Sequence, residues 1–78
     1  MAQINLTNIK KIEKNRNTIH EKVFTIYTIL ENSGNTYVQL DTYGKIEREN
    51  PEKISQSIQF DKETAKFLVE LLRKEFDL

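Results

Sequence analysis

Cysteine is absent and histidine occurs once, at His20. Without thiols there is no disulfide framework and no Cys-based zinc site, and a lone His cannot assemble a His cluster within one chain. No metal and no cofactor are expected. Nor does any stretch approach the roughly 18 apolar residues of a membrane helix, and the N-terminus lacks the charged-then-apolar order of a signal peptide. A cytoplasmic protein without a membrane partner is the expectation. Net charge is missing too: 12 Lys+Arg cancel 12 Asp+Glu, which removes the simplest argument for nucleic acid, a strongly basic whole.

Catalytic groupings are equally scarce. His20-Glu21 lacks the spacing of a metal helix, no Gly-rich phosphate loop occurs, and Ser55 and Ser57 have neither an elbow nor an adjacent base. Glu47, Glu49 and Glu52 fall in a charged loop that offers no ordered oxygen set for a hard cation. No catalytic residue is assigned, and an enzyme is not expected.

What is present is a single small domain, residues 1–78. Area scaling gives about 4,900 Å² of surface for a folded monomer of this mass against about 13,300 Å² unfolded, so stability is modest and a partner subunit would add to it. Only two glycines and one proline punctuate the chain, and its Ile, Tyr and Phe content does not describe disorder.

Four strands and a helix follow from patterning. Val23–Leu30 is almost wholly β-branched or aromatic, and Tyr37–Tyr43 follows the turn cluster Asn32-Ser33-Gly34-Asn35, which predicts a hairpin of strands over about 22–31 and 36–43. In the second of these, Val38 and Leu40 alternate with Tyr37, Gln39, Asp41 and Tyr43, giving one aliphatic face and one mixed face. A strand over about 53–60 sets Ile54, Ile58 and Phe60 against Ser55, Ser57 and Gln59. The first segment reads as a strand over about 3–12, bulged because Ile9 breaks the parity of residues 4, 6 and 12.

Asp61 is a credible N-cap with Glu63 in the first turn, predicting a helix over about 62–76. Its Ala65, Leu68, Val69, Leu72 and Phe76 form one apolar face for the sheet to cover. Phe67, Leu71 and Leu78 form a second stripe, which predicts a homodimer joined through the helix. The fold class is α+β: a curved four-stranded antiparallel sheet followed by a C-terminal helix.

This order, with a long loop before the last strand, resembles the small single-stranded-DNA-binding domain of the transcriptional coactivators called positive cofactor four, and its bacterial relatives. The likeness is carried between Tyr37 and Leu72: Tyr37–Tyr43, then Asn50-Pro51-Glu52-Lys53, then Ile58-Gln59-Phe60-Asp61-Lys62-Glu63, with Leu68 and Leu72 beyond. Three positions depart from the family pattern: Asp41 stands for a strand arginine, Lys53 alone for a basic run, and Ser57 for a glycine. The resemblance implies the fold, self-association, and a role as a single-stranded nucleic-acid binder in transcription regulation.

The physics of that function asks for rings on which bases stack and cations along the backbone. Tyr27, Tyr37 and Tyr43 fall on odd positions of the hairpin, and Tyr37 and Tyr43 share a face with Gln39, whose amide can bond base edges. Charge is unevenly spread: residues 1–22 carry a net +3, with Lys10, Lys11, Lys14 and Arg16 clustered. The expected interface for single-stranded DNA or RNA is therefore Lys10, Lys11, Lys14, Arg16, Tyr27, Tyr37, Gln39, Tyr43, Lys45, Lys53, Ser55 and Ser57. The rival expectation is a protein–protein adaptor or small regulator of the same fold, favoured by neutral charge and by Asp41 on the presumed binding face.

Overall fold

A computed structural model describes residues 1–14, 18–44 and 54–78. Its N-terminal segment pairs for only two residues. Strand β1, Ala2–Gln3, lies parallel to the last strand, with Ala2 opposite Ile58 and Gln3 opposite Gln59. The Ile4 N–H donates to the Gln59 carbonyl at 2.9 Å, and there the ladder ends. The Asn5 carboxamide accepts from the Thr7 N–H at 3.1 Å and the Thr7 hydroxyl at 2.8 Å, turning Leu6–Asn8 into a 3-10 turn. Asn side chains compete in this way with sheet ladders. The expected strand over 3–12 is thus cut to its start, and the parity break at Ile9 marks a turn instead of a bulge.

Strands β2 (Thr25–Asn32) and β3 (Asn35–Tyr43) form the expected hairpin, and β3 pairs antiparallel with β4 (Ile54–Phe60). The sheet order is β1-β4-β3-β2, so the sheet is mixed. The expectation of a wholly antiparallel sheet fails at β1, which runs with β4. The hairpin turn is made by Ser33 at φ 53° and Gly34 at φ 79°. Two successive left-handed residues define the two-residue turn whose twist matches that of the flanking strands.

Helix α1, Lys62–Phe76, matches the predicted span, and a single residue, Asp61, joins it to β4. The Asp61 carboxylate accepts from the Thr64 N–H at 2.9 Å, and that bond holds its pKa below the ordinary carboxylate value. Glu63 in the first turn and Arg73 and Lys74 in the last complement the helix dipole.

Only Asp41 and Thr64 are buried among the described residues, and no apolar side chain is. Among the described residues, the closest backbone approach of helix α1 is to the 3-10 turn. The stripe expected to face the sheet is largely exposed, at Val69 52%, Leu72 45% and Phe76 68%. Phe67 and Leu71 instead share a cleft with Ile9, Lys10 and Lys11 of the same chain, while Leu78 stays exposed at the end of the chain.

Two outcomes test these local accounts. A Cβ added at Gly34 meets nothing within 4 Å, so Gly34→Ala should destabilise through backbone conformation alone, by about 1 kcal/mol in urea unfolding. Because folding lowers the Asp61 pKa, its capping stabilises above the unfolded carboxylate pKa and is lost as pH falls through the folded value. The melting-temperature deficit of Asp61→Ala should accordingly be full at neutral pH and shrink toward acid.

Candidate nucleic-acid interface

The hairpin register decides which side chains share a face. With a two-residue turn every cross-strand pair joins an odd-numbered residue to an even one: Ile26 faces Asp41, Tyr27 faces Leu40, and Thr28 faces Gln39. Directly opposite residues lie on the same side of the sheet. Tyr37, Gln39 and Asp41 therefore share a face with Ile26, Thr28 and Leu30 on β2 and with Ser57 and Gln59 on β4. The other face carries Tyr27, Ile29, Val38, Leu40, Ile58 and Phe60. Tyr27 thus leaves the expected platform, because odd numbering means the same face only within one strand.

A register shift next to Tyr43 sets Ile54 opposite that tyrosine while Gln56 faces Thr42. Ser55 is the extra residue of the bulge, exposed and unmatched on β3. Ile54 moves from the side of Ile58 and Phe60 to that of Tyr43, the local re-aiming that a bulge produces.

On the polar face the side chains bond one another. Gln59 Nε2 donates to Gln39 Oε1 at 2.6 Å, and Gln39 Nε2 donates to the Asp41 carboxylate at 2.9 and 3.2 Å. Ser57 Oγ donates to Asp41 Oδ1 at 2.5 Å. Asp41 is 4% exposed, and its charge is met there by one amide and one hydroxyl. Asp41 and Ser57 are direct cross-strand partners, so the register itself brings this acceptor and donor together.

The aromatic side of the site is built differently from the expected three tyrosines. Phe24 precedes β2 and its carbonyl accepts from the Tyr43 N–H at 2.9 Å. Their ring centroids lie 5.3 Å apart at an interplanar angle of 45°, inside the range of favourable aromatic pairs. Phe24 is 67% exposed, and exposed Lys22 stands two residues before it. Sequence reasoning missed Phe24, although extending the odd–even pairing from the turn assigns it to Tyr43. Tyr37, half-buried, faces Leu30 at the turn end of the sheet.

The cations are dispersed. Lys10, Lys11 and Lys14 are exposed on the N-terminal segment, with Lys11 paired to Glu13 at 3.4 Å, a surface contact that contributes little. Lys10 and Lys11 border the cleft of about 310 Å³ formed with Phe67, Leu71 and Glu75, beside α1. Arg16, Lys45 and Lys53 lie outside the described residues. None of the residues that the register places on the polar face is Lys or Arg. The start of α1 lines a further cleft, but Asp61 and Glu63 stand there, so that helix end is already occupied by negative charge.

Among the described residues no group of His, Asp and Glu could hold a metal ion, and no helix is long and apolar enough to cross a membrane. Neither a protein-family model, nor a curated protein, nor a solved structure matches the chain.

The polar ladder makes its own prediction. Asp41→Ala leaves the Gln39 amide and the Ser57 hydroxyl without their acceptor and should cost about 1–3 kcal/mol in urea unfolding. The double change Asp41→Val with Ser57→Val removes both partners of that bond and should cost less than the sum of the two single changes.

Proposed function

We propose that the protein is a non-enzymatic single-stranded nucleic-acid-binding module that works as a homodimer in the cytoplasm, in a transcription-regulating role. The carrying observation is the Phe24–Tyr43 pair: one well-exposed ring against a second, on the polar side of the sheet, with exposed Lys22 two residues before Phe24 in the chain. Bases stack on such rings whatever their sequence, because every base has a π-face. Lys45, Arg48 and Lys53 follow Tyr43 closely in the chain and supply charge for phosphates. The resemblance of residues 37–72 to the positive-cofactor-four domain supports the same reading.

In this reading Phe24 and Tyr43 stack bases, Tyr37 extends the platform toward the turn, and Lys10, Lys11, Lys14 and Arg16 add charge from the N-terminal segment. Gln39 and Ser57 hold Asp41 and act on the ligand only through the face they shape. Tyr27 belongs to the opposite side.

A second reading, a protein-binding adaptor of the same fold, is favoured by one observation: a carboxylate buried at the centre of the polar face with no Lys or Arg beside it among the residues in register. Titration of a labelled oligonucleotide of about 20 nucleotides at two salt concentrations separates the two. Nucleic-acid binding gives a log–log salt slope near −0.7 per phosphate neutralised. Phe24→Ala and Tyr43→Ala should each weaken it by about 1–3 kcal/mol, roughly 5- to 150-fold, while Tyr27→Ala leaves it unchanged. No binding at low salt would sink this reading and leave the adaptor.

A further inference from the structure

The two edges of the sheet are finished differently. One ends in β1, two residues long, and the Asn5-capped turn draws the chain away directly after it. The other edge is β2, whose single neighbour among the described residues is β3. Its eight residues pair with β3 without a register shift, and all but Ile26 are exposed.

The turn decides which backbone groups of β2 point outward. In a two-residue hairpin the residues flanking the turn, here Asn32 and Asn35, exchange both of their backbone hydrogen bonds, and such pairs then alternate with unbonded ones. The Tyr43 N–H donating to the Phe24 carbonyl at 2.9 Å has the same parity. Even-numbered residues of β2 are therefore bonded to β3, and the N–H and C=O groups of Thr25, Tyr27, Ile29 and Glu31 are aimed away from it.

Proteins blunt such edges with Lys, Pro, bulges or very short strands. β2 has none of these, and Glu31 is its one charged residue. Apolar side chains flank the outward groups on both faces, with Tyr27 and Ile29, 70% and 64% exposed, on one and Ile26 and Leu30 on the other. A row of amide donors and acceptors recurring every second residue matches one class of ligand, the backbone of an extended polypeptide. A second copy of β2 answers this edge incompletely, because it brings no cation for Glu31.

We infer that the β2 edge is a strand-addition site for an extended, β-branched segment of another protein, running antiparallel to β2 with a Lys or Arg opposite Glu31. Main-chain bonds to Thr25, Tyr27, Ile29 and Glu31 hold the segment, and the flanking apolar side chains select its residues. The inference stands apart from the nucleic-acid reading, which uses the rings of Phe24 and Tyr43.

Amide hydrogen exchange, followed by nuclear magnetic resonance on the whole chain, reads the site residue by residue. In the free protein the Ile26, Thr28 and Leu30 amides should be protected, while those of Tyr27, Ile29 and Glu31 exchange freely. The probe is an end-blocked peptide of about eight residues that alternates threonine with valine and carries a lysine facing Glu31. At saturation it should slow exchange at Tyr27, Ile29 and Glu31 by about 10-fold or more. N-methylation of the valines facing Tyr27 and Ile29 removes the N–H groups that bond β2 and should abolish this protection. N-methylation of the intervening threonines, whose N–H groups point away, should leave it.

Tyr27→Lys should weaken probe binding about 10-fold while oligonucleotide binding is retained. Should that variant fail to fold, the two N-methylated probes still decide. Equal binding of those two probes overturns the inference, as does a lack of protection at the three amides. Protection in the free protein that grows with its concentration also overturns it, by assigning the edge to a second copy.

Discussion

The register of one hairpin governs the rest of the molecule. Ser33 and Gly34, both left-handed, close a two-residue turn and fix Asn32 opposite Asn35. Because side chains alternate with a period of two, that one choice assigns every residue of β2 and β3 to a face, and a slip of one residue would exchange the faces completely. With this register Ile26, Thr28 and Leu30 join the amides and Asp41, while Tyr27 and Ile29 join Val38 and Leu40. It also sets Phe24 beside Tyr43 just beyond the end of β2.

The polar ladder reinforces the same register. Gln59, Gln39, Asp41 and Ser57 form a connected set across two strands, and its bonds can be made in one alignment of β3 with β4. A carboxylate taken out of water without donors would be costly, so a slipped pairing would lose the donors as well as the apolar match. Specificity of alignment is therefore the main contribution of these bonds, since a hydrogen bond adds only about 1 kcal/mol net. Asp41 and Ser57 face each other in register, and each satisfies the other.

Much of this was legible from residue order and the remainder was not, for reasons specific to each element. Helix α1 was legible to the residue because Asp61 caps it and Glu63, Arg73 and Lys74 match its dipole. β3 and β4 were legible from alternation. The N-terminal segment was not, since a hydrogen bond from Thr7 to Asn5 overrides apolar alternation, and pairing with β4 is a long-range choice that no local pattern reports. The side assigned to Tyr27 was wrong because numerical parity was carried across a turn that inverts it. Phe24 was readable by the same arithmetic, properly applied. That the helix would rest on the 3-10 turn was unreadable, because both of its stripes suit an apolar neighbour and composition does not rank them.

The exposed apolar faces follow from size. In a chain of 78 residues the surface-to-volume ratio limits how much of a sheet face, a helix and an N-terminal segment can be buried together. Here the polar face contains the one carboxylate among the described residues that is removed from water, while Tyr27 and Ile29 on the apolar face stay exposed. Hydrophobic free energy scales with apolar area removed from water, so a single copy leaves its largest source of stability unused. The hairpin, the polar ladder and the helix cap, by contrast, are each complete within one chain. Local structure and global stability are thereby divided: the first is encoded in turns, caps and alternation, and the second rests on how much apolar area leaves water.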